Sequence, residues 1–314
     1  MNADRFFRFA RARHQIFLDR TAGKPPPWTD DPVLATTRFT NVFRELDRTT
    51  LWFRQNIREP LRDEFWVVPA TIIFRWFNRI ETGECLMPPQ VGLLQGEFRR
   101  HQFEGIVRDH LPRGPWVTGS YMVCSGRSTG DKLSGILRYC ELMLEWWQTE
   151  GRKFFLTRPN LQAAHTKLLE LEGLAGFTAY EVVTDLRWTW SVDPTDRNRW
   201  AHAGPGATRG GSRVLHGEPD RLSQSSAMDQ VTLVNLMDKL LRMSRNPRYW
   251  PQSDPNWPLW EMREVEHTLC EFDKYERVRR CQGRAKNKFA PERAKPLLWS
   301  GYEGGLDRGL TTPN

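Results

Sequence analysis

The sequence predicts an all-α, mainly helical protein. Apolar residues recur at helical spacing in several separate segments, and no stretch alternates as a half-buried strand would. Pro, Gly and acidic residues also fall where helix ends need them. A chain of 314 residues can bury one large core or two modest ones.

The elements follow in order. Residues 4–20 form a basic, aromatic-rich helix, closed by Thr21-Ala22-Gly23-Lys24 and the stiff Pro25-Pro26-Pro27. Trp28-Thr29-Asp30-Asp31-Pro32 starts a second helix, with its carboxylates beside the positive end of the helix dipole. Val33, Leu34, Phe39, Val42, Phe43 and Leu46 continue its apolar spacing to Asp47. A third helix covers 62–80 on a stripe of Phe65, Val68, Ile72, Ile73 and Trp76, where Pro69 marks a kink or the true start. After a Gly- and Pro-rich passage at 111–130 come a helix at 132–150 and a helical hairpin at 161–186. Residues 191–227, rich in Pro, Gly, Asp and Ser, read as a long loop. Helices at 228–243, with Val231, Val234, Met237 and Leu241 on one side, and at 259–280 complete the set. Residues 1–290 read as one helical domain and 291–314 as an extended tail.

Composition narrows the function classes. With 46 Lys+Arg against 38 Asp+Glu the net charge is +8, a balance suited to a polyanionic partner. Many of the 14 Trp belong to a core, yet a protein that unstacks bases also needs aromatic surface. No apolar run approaches a membrane span and the first residues lack a signal-peptide layout, so no membrane partner is expected and a cytoplasmic location is. The five Cys are scattered without a Cys-x-x-Cys pair, which argues against a disulfide scaffold and a bound zinc.

The most informative stretch runs from Leu171 through Gly173, Ala175, Gly176 and Thr178 to Val183. It looks like the hairpin of a helix–hairpin–helix DNA-binding element. Gly173 permits a sharp turn, small Ala175 allows close approach, and backbone N–H groups around Thr178 can hold a DNA phosphate without reading sequence. The alternative is an ordinary corner between two helices. Whether a monovalent cation sits in the turn, the sequence leaves open.

Other candidates carry the same double reading. Gly204-Pro205-Gly206-Ala207-Thr208-Arg209-Gly210-Gly211-Ser212-Arg213 fits a phosphate cradle in which glycines admit the ligand and Arg209 and Arg213 pair with its oxygens, or else a solvated loop. His267, Glu271 and Lys274 share one face of the last helix, with Glu266, Cys270 and Asp273 beside them. Glu271 and Asp273 can orient or deprotonate an amine, or simply belong to an ion-paired surface. Asp30, Asp31, Asn41, Arg44 and Asp47 form a dense polar set, either a pocket in which Asn41 reads a base edge and Asp30 or Asp31 acts on an incoming amine, or an ordinary internal salt bridge of Arg44 with Asp47. Arg75 and Asn78 carry a similar ambiguity on a mainly apolar helix. Ser125-Gly126-Arg127-Ser128-Thr129-Gly130-Asp131-Lys132 fails the Walker pattern, so Lys132 reads as a phosphate contact or a surface residue. Arg284, Lys286 and Lys288 in the basic tail suit a DNA backbone.

The blocks 27–32 and 38–47 resemble the thymine-hypermodification proteins called alpha-glutamyl/putrescinyl thymine pyrophosphorylases, and the related helical domain named after 5-hydroxymethyluracil DNA kinases. The likeness continues through Phe74-Arg75-Trp76-Phe77-Asn78-Arg79-Ile80-Glu81-Thr82, residues 176–186, residues 203–210 and Glu266–Tyr275, covering about residues 5–290. It implies a fold similar to helix–hairpin–helix DNA glycosylases, acting on a flipped base in double-stranded DNA that contains modified thymine. It further implies an amino acid or amine co-substrate that displaces pyrophosphate from activated 5-hydroxymethyluracil, with a 5-hydroxymethyluracil DNA kinase in the same phage pathway. Asp185, Glu271 and Asp273 then become candidates for polar catalysis. One departure stands out: glycosylases of this type place an aspartate shortly after the hairpin, and Trp200-Ala201-His202-Ala203-Gly204-Pro205-Gly206-Ala207 holds no carboxylate. A glycosylase acting on a modified pyrimidine and a non-catalytic DNA-binding module remain the alternatives.

Overall fold

The computed structural model describes residues 2–119, 130–283 and 288–291. Among them the α-helices are α1 (Ala3–Thr21), α2 (Pro32–Thr36), α3 (Arg48–Phe53), α4 (Val67–Phe77), α5 (Ile80–Glu84) and α6 (Arg100–His110). There follow α7 (Lys132–Trp146), α8 (Arg152–Leu156), α9 (Leu161–Leu168), α10 (Gly176–Leu186), α11 (Pro205–His216), α12 (Ala227–Met243) and α13 (Met262–Arg279). No strand occurs among the described residues, only an isolated antiparallel bridge between Thr37 and Lys288. The protein is all-α, as expected. No helix among the described residues is long and apolar enough to cross a membrane.

Local chemistry sets the helix ends. Asp31 caps α2 by accepting from the Val33 and Leu34 N–H groups at 2.9 and 3.1 Å, with Pro32 in the first turn. The helix stops at Thr36 rather than running to Asp47, because Thr37 is extended. Arg44 therefore opens a short 3₁₀ turn (Arg44–Leu46) and Asp47 follows it, instead of the two sharing an α-helix. Pro69 lies in the first turn of α4, whose start is Val67, where a missing N–H costs nothing. Asp131 caps α7, Asn160 caps α9 and Ser226 caps α12.

The chain divides into two compact units, one from Met1–Arg44 with Asn198–Asn314 and one from Glu45–Arg197. In the first, Phe6, Phe7, Trp250, Trp260 and Phe272 pack edge-to-face or tilted. Here α11 interrupts the long loop expected at 191–227, which is non-helical on either side of it, and lies against α13. A Cβ at Gly210 would stand 2.0 Å from the Leu269 carbonyl oxygen, and one at Gly206 would stand 2.4 Å from Cys270 Sγ. The glycines bring two backbones together, which a loop reading of Gly and Pro does not anticipate. On α12 the buried stripe is Leu233, Leu236, Met237, Leu240 and Leu241; Val231, expected inside, is exposed. In the second unit, α4 is buried along its whole length, packed against α5, α7 and α10. Phe53 and Trp52 stack on Phe74 to close one side of it.

Candidate functional site

Each unit has a polar centre of its own. The first unit's centre lies along α13, whose start is fixed by a reciprocal capping box of Glu261 and Glu264. His267, Glu271 and Lys274 stand one above the next on this helix, and the extended segment after α2 covers them. Thr40 donates its N–H to Glu271 Oε2 at 3.2 Å, and its hydroxyl meets His267 Nε2 at 2.7 Å. Lys274 Nζ reaches the two Glu271 oxygens at 2.9 and 2.7 Å and lies 4.8 Å from the centre of the Phe39 ring. Thr40 was absent from the sequence-derived candidates, since nothing local marks a threonine that meets a helix more than two hundred residues away.

The surrounding charge decides the state of His267. Burial and then the cations Arg263, Arg13, Arg44 and Lys274 push its pKa well below the ordinary histidine value. His267 is thus a neutral imidazole at neutral pH, suited to fixing the Thr40 hydroxyl and too weak a base for taking a proton from an ammonium. Arg13 also donates to the Asn41 carbonyl at 3.1 Å. Arg44 is buried, so the structure gives it a place among these cations and no open face, while Asp30 is exposed. Asp31, besides capping α2, accepts from the Tyr275 hydroxyl at 2.6 Å, and burial followed by that bond raises the phenol pKa.

The second row of α13 meets α11. Asp273 is gripped by Arg209 Nε and Nη2 at 3.0 and 2.7 Å and by Arg213 Nε at 2.9 Å. Arg213 and Asp273 are 2% and 3% exposed, whereas Arg209 is 42% exposed. The loop cradle expected at Gly204–Arg213 is therefore a helix; Gly204 is its N-cap, Gly206 is filled by Cys270, and Arg213 is committed to Asp273 and Gln282. Arg209 alone of the cradle residues combines an ion pair with a solvent-facing guanidinium. Of these α13 carboxylates, the Glu271 side chain is 11% exposed against 3% for Asp273 and 5% for Glu266, so Glu271 is the least enclosed.

The second unit's centre is closed. Asp185, the last acidic residue of α10, is 0% exposed and accepts from Arg75 Nε and Nη2 at 2.6 and 3.0 Å. Asp185 is thus enclosed and paired with Arg75, which fits a packing role in this unit rather than the open catalytic face expected of it. Nearby, Glu45 receives Arg58 through two hydrogen bonds at 3.0 and 2.8 Å and the Trp188 indole at 3.1 Å. Burial drives the Glu45 carboxyl upward, but the Arg58 charge and its bonds, with Arg187 behind, bring it down to about 2.

The hairpin stretch folds as two helices, α9 and α10, joined by a turn at 169–175. Gly173 has φ +87°, and a Cβ there would strike the Tyr139 ring at 2.6 Å, so the position needs glycine on both counts. Ala175 is an exposed N-cap whose side chain caps nothing, and Thr178 is half-buried in the first turn of α10. Two carbonyls at this corner accept side-chain hydrogen bonds, Gly173 from Trp76 Nε1 at 3.1 Å and Gly176 from His165 Nε2 at 2.9 Å. No cluster of three or more metal-ligating side chains occurs among the described residues. Lys132 is exposed at the start of α7, Lys288 is exposed beside Thr37, and Arg284 and Lys286 lie outside the described residues.

Residues 2–285 match the family described as the 5-hmdU DNA kinase, helical domain. The 5-hmdU DNA kinase of Bacillus phage SP10 is 26% identical over 295 residues, covering 87% of this chain and 44% of the relative. The chain thus spans less than half the length of that relative. No solved structure matches.

Proposed function

The chain belongs to the family of the 5-hmdU DNA kinase helical domain, and from that premise we propose that it acts in the modification of 5-hydroxymethyluracil in DNA. The family match across residues 2–285 is the observation that carries this reading. At finer grain the chain is an amino acid (or amine):DNA transferase. The amine nitrogen attacks the 5-methylene carbon; the new C–N bond forms as the C–O bond breaks, and pyrophosphate leaves with the bonding pair. The ammonium proton passes to the Glu271 carboxylate, which Thr40 and Lys274 hold in place. The exposed edge of Arg209 stabilises the departing pyrophosphate, a planar donor matched to phosphate oxygens. Neutral His267 orients Thr40 and stays out of proton transfer. In the other unit, the half-buried first turn of α10, which follows the exposed Ala175 and has no side-chain cap, supplies N–H groups for a DNA phosphate.

Nucleoside mass spectrometry tests this directly. Duplex DNA carrying pyrophosphorylated 5-hydroxymethyluracil is incubated with the full chain and pooled amino acids and polyamines. The expected product is a nucleoside heavier than thymidine by the added amine, with pyrophosphate released in equal amount. Loss of the base identifies a glycosylase instead. A second reading follows from the kinase name of the phage relative and its greater length: the chain is the helical unit that presents 5-hydroxymethyluracil DNA to a phosphoryl-transfer partner. That reading expects DNA binding and no new nucleoside from the chain by itself.

A further inference from the structure

Asn78 ends α4 at φ 45° and ψ 45°, a left-handed conformation in which asparagine is among the few tolerated non-glycine residues. Its carboxamide has a chemically fixed direction. Arg75 Nη1 donates to Asn78 Oδ1 at 2.5 Å, and a guanidinium only donates, so the oxygen must face Arg75 and the NH2 must face away. Arg75 in turn cannot swing, because Asp185 holds two of its nitrogens and its guanidinium carbon lies 4.8 Å from the Phe53 ring centre. Neighbouring Trp76 is bonded to the Gly173 carbonyl, so consecutive residues of α4 are tied to the hairpin turn and to the far end of the hairpin helix. The result is a half-buried residue on a rigid mount whose NH2 faces away from Arg75, in the unit that contains the hairpin.

We propose that Asn78 is a specificity-determining residue that donates to the O4 carbonyl of a pyrimidine that this unit reads in the DNA. The inference rests on the reading of the chain as a 5-hydroxymethyluracil-DNA protein and adds the basis of base choice. Uracil-type bases present an acceptor at position 4, whereas cytosine-type bases present an amino donor. A fixed NH2 rewards the first and meets the second donor to donor, leaving both groups unpaired. The side chain cannot flip to accommodate cytosine, because flipping would turn its NH2 toward the Arg75 guanidinium.

The test uses the full chain and short duplexes that carry 5-hydroxymethyluracil, 5-hydroxymethylcytosine or thymine at one position, with binding followed by fluorescence anisotropy. Wild type should bind the hydroxymethyluracil duplex about tenfold more tightly than the hydroxymethylcytosine one, the discrimination a well-placed base-edge contact provides. Asn78→Asp keeps an oxygen for Arg75 and turns an acceptor outward, so the preference should reverse. Asn78→Gly keeps the left-handed backbone and removes the amide, so the preference should fall to near unity while the chain stays folded, with a lower melting temperature from the lost bond to Arg75. Wild-type preference retained in Asn78→Gly overturns the inference, even if Asn78→Asp fails to fold. Wild type that prefers hydroxymethyluracil over thymine yet ignores the cytosine swap overturns this inference alone. Wild type that treats all three duplexes alike removes the functional reading beneath it as well.

Discussion

The two units hold the same chemical motif, an aspartate gripped by arginine, in opposite states of closure. Asp185 and Arg75 are 0% and 1% exposed and complete each other in the second unit. In the first, Asp273 is just as buried and Arg213 with it, but Arg209 leaves part of its guanidinium in solvent. A short step along α13, Glu271 is likewise partly open. Pairing alone therefore says nothing about role. A sealed pair holds packing together, and a pair with one open edge leaves charge for a ligand.

The largest effect should come from breaking the sealed pair. Asp185→Ala leaves Arg75 charged and buried without its carboxylate, and removal of one partner from a buried pair costs about 3–5 kcal/mol. Urea unfolding should register that loss, while Asp185→Leu with Arg75→Met should recover much of it. A stable Asp185→Ala protein with altered chemistry would instead place Asp185 in the reaction and dissolve the contrast between the units.

Acid sharpens the same comparison. Burial lowers the His14 pKa to about 4 in the first unit, where its ring sits among Phe43, Trp250 and Trp257. A base whose folded pKa lies below its unfolded value near 6.5 gives stability that is full above 6.5 and lost as pH falls toward 4. His267 acts in the same direction in that unit, and His165, lowered by burial, does so in the second. Glu45 differs in window: its depressed pKa contributes above about 4.5 and is lost as pH falls toward 2. His14→Phe should therefore abolish a loss on the order of 3 kcal/mol between pH 7 and pH 4. Urea titrations of wild type and variant at the two pH values measure it, and equal slopes would sink the assignment.

These centres were unequally legible in the sequence. Helix starts with a capping side chain, such as Asp31, Asn160 and Asp131, follow local rules and were read within a few residues. The face shared by His267, Glu271 and Lys274 was also visible, because helical spacing is local. The burial of Asp185 was not legible because its partner Arg75 is 110 residues away and no short-range pattern links them. The cradle at Gly204–Arg213 failed for a different reason. Glycines at 206 and 210 stand one helical turn apart, which signals close helix packing as well as it signals a loop, and Leu269 and Cys270 on α13 decide between the two.

Glu271→Gln separates the open carboxylate from the closed one. It keeps the shape and loses the proton acceptor, so product formation should fall by about 10²-fold with melting little changed. Asp273→Asn should do the reverse, lowering stability by weakening two arginine contacts before it affects rate. Exchange of those two outcomes would move the reacting face of α13 from the first row to the second.

The smallest effect belongs to Arg209→Ala. Arg213 still holds Asp273 in that variant, and the pair lost is 42% exposed on the arginine side, so the stability change should stay within about 1 kcal/mol. Yet Arg209 is the solvent-facing charge assigned to the departing pyrophosphate, so turnover should drop about tenfold, roughly the worth of one charge-assisted contact. Arg209→Lys should restore part of the rate, since it returns the charge but not the planar fork. The informative readout is the inhibition constant for inorganic pyrophosphate. It should rise with the alanine variant by the same factor as the rate falls. If the rate falls and pyrophosphate binding does not, Arg209 acts by holding Asp273 in place, and the open edge of this pair is as structural as the closed one in the other unit.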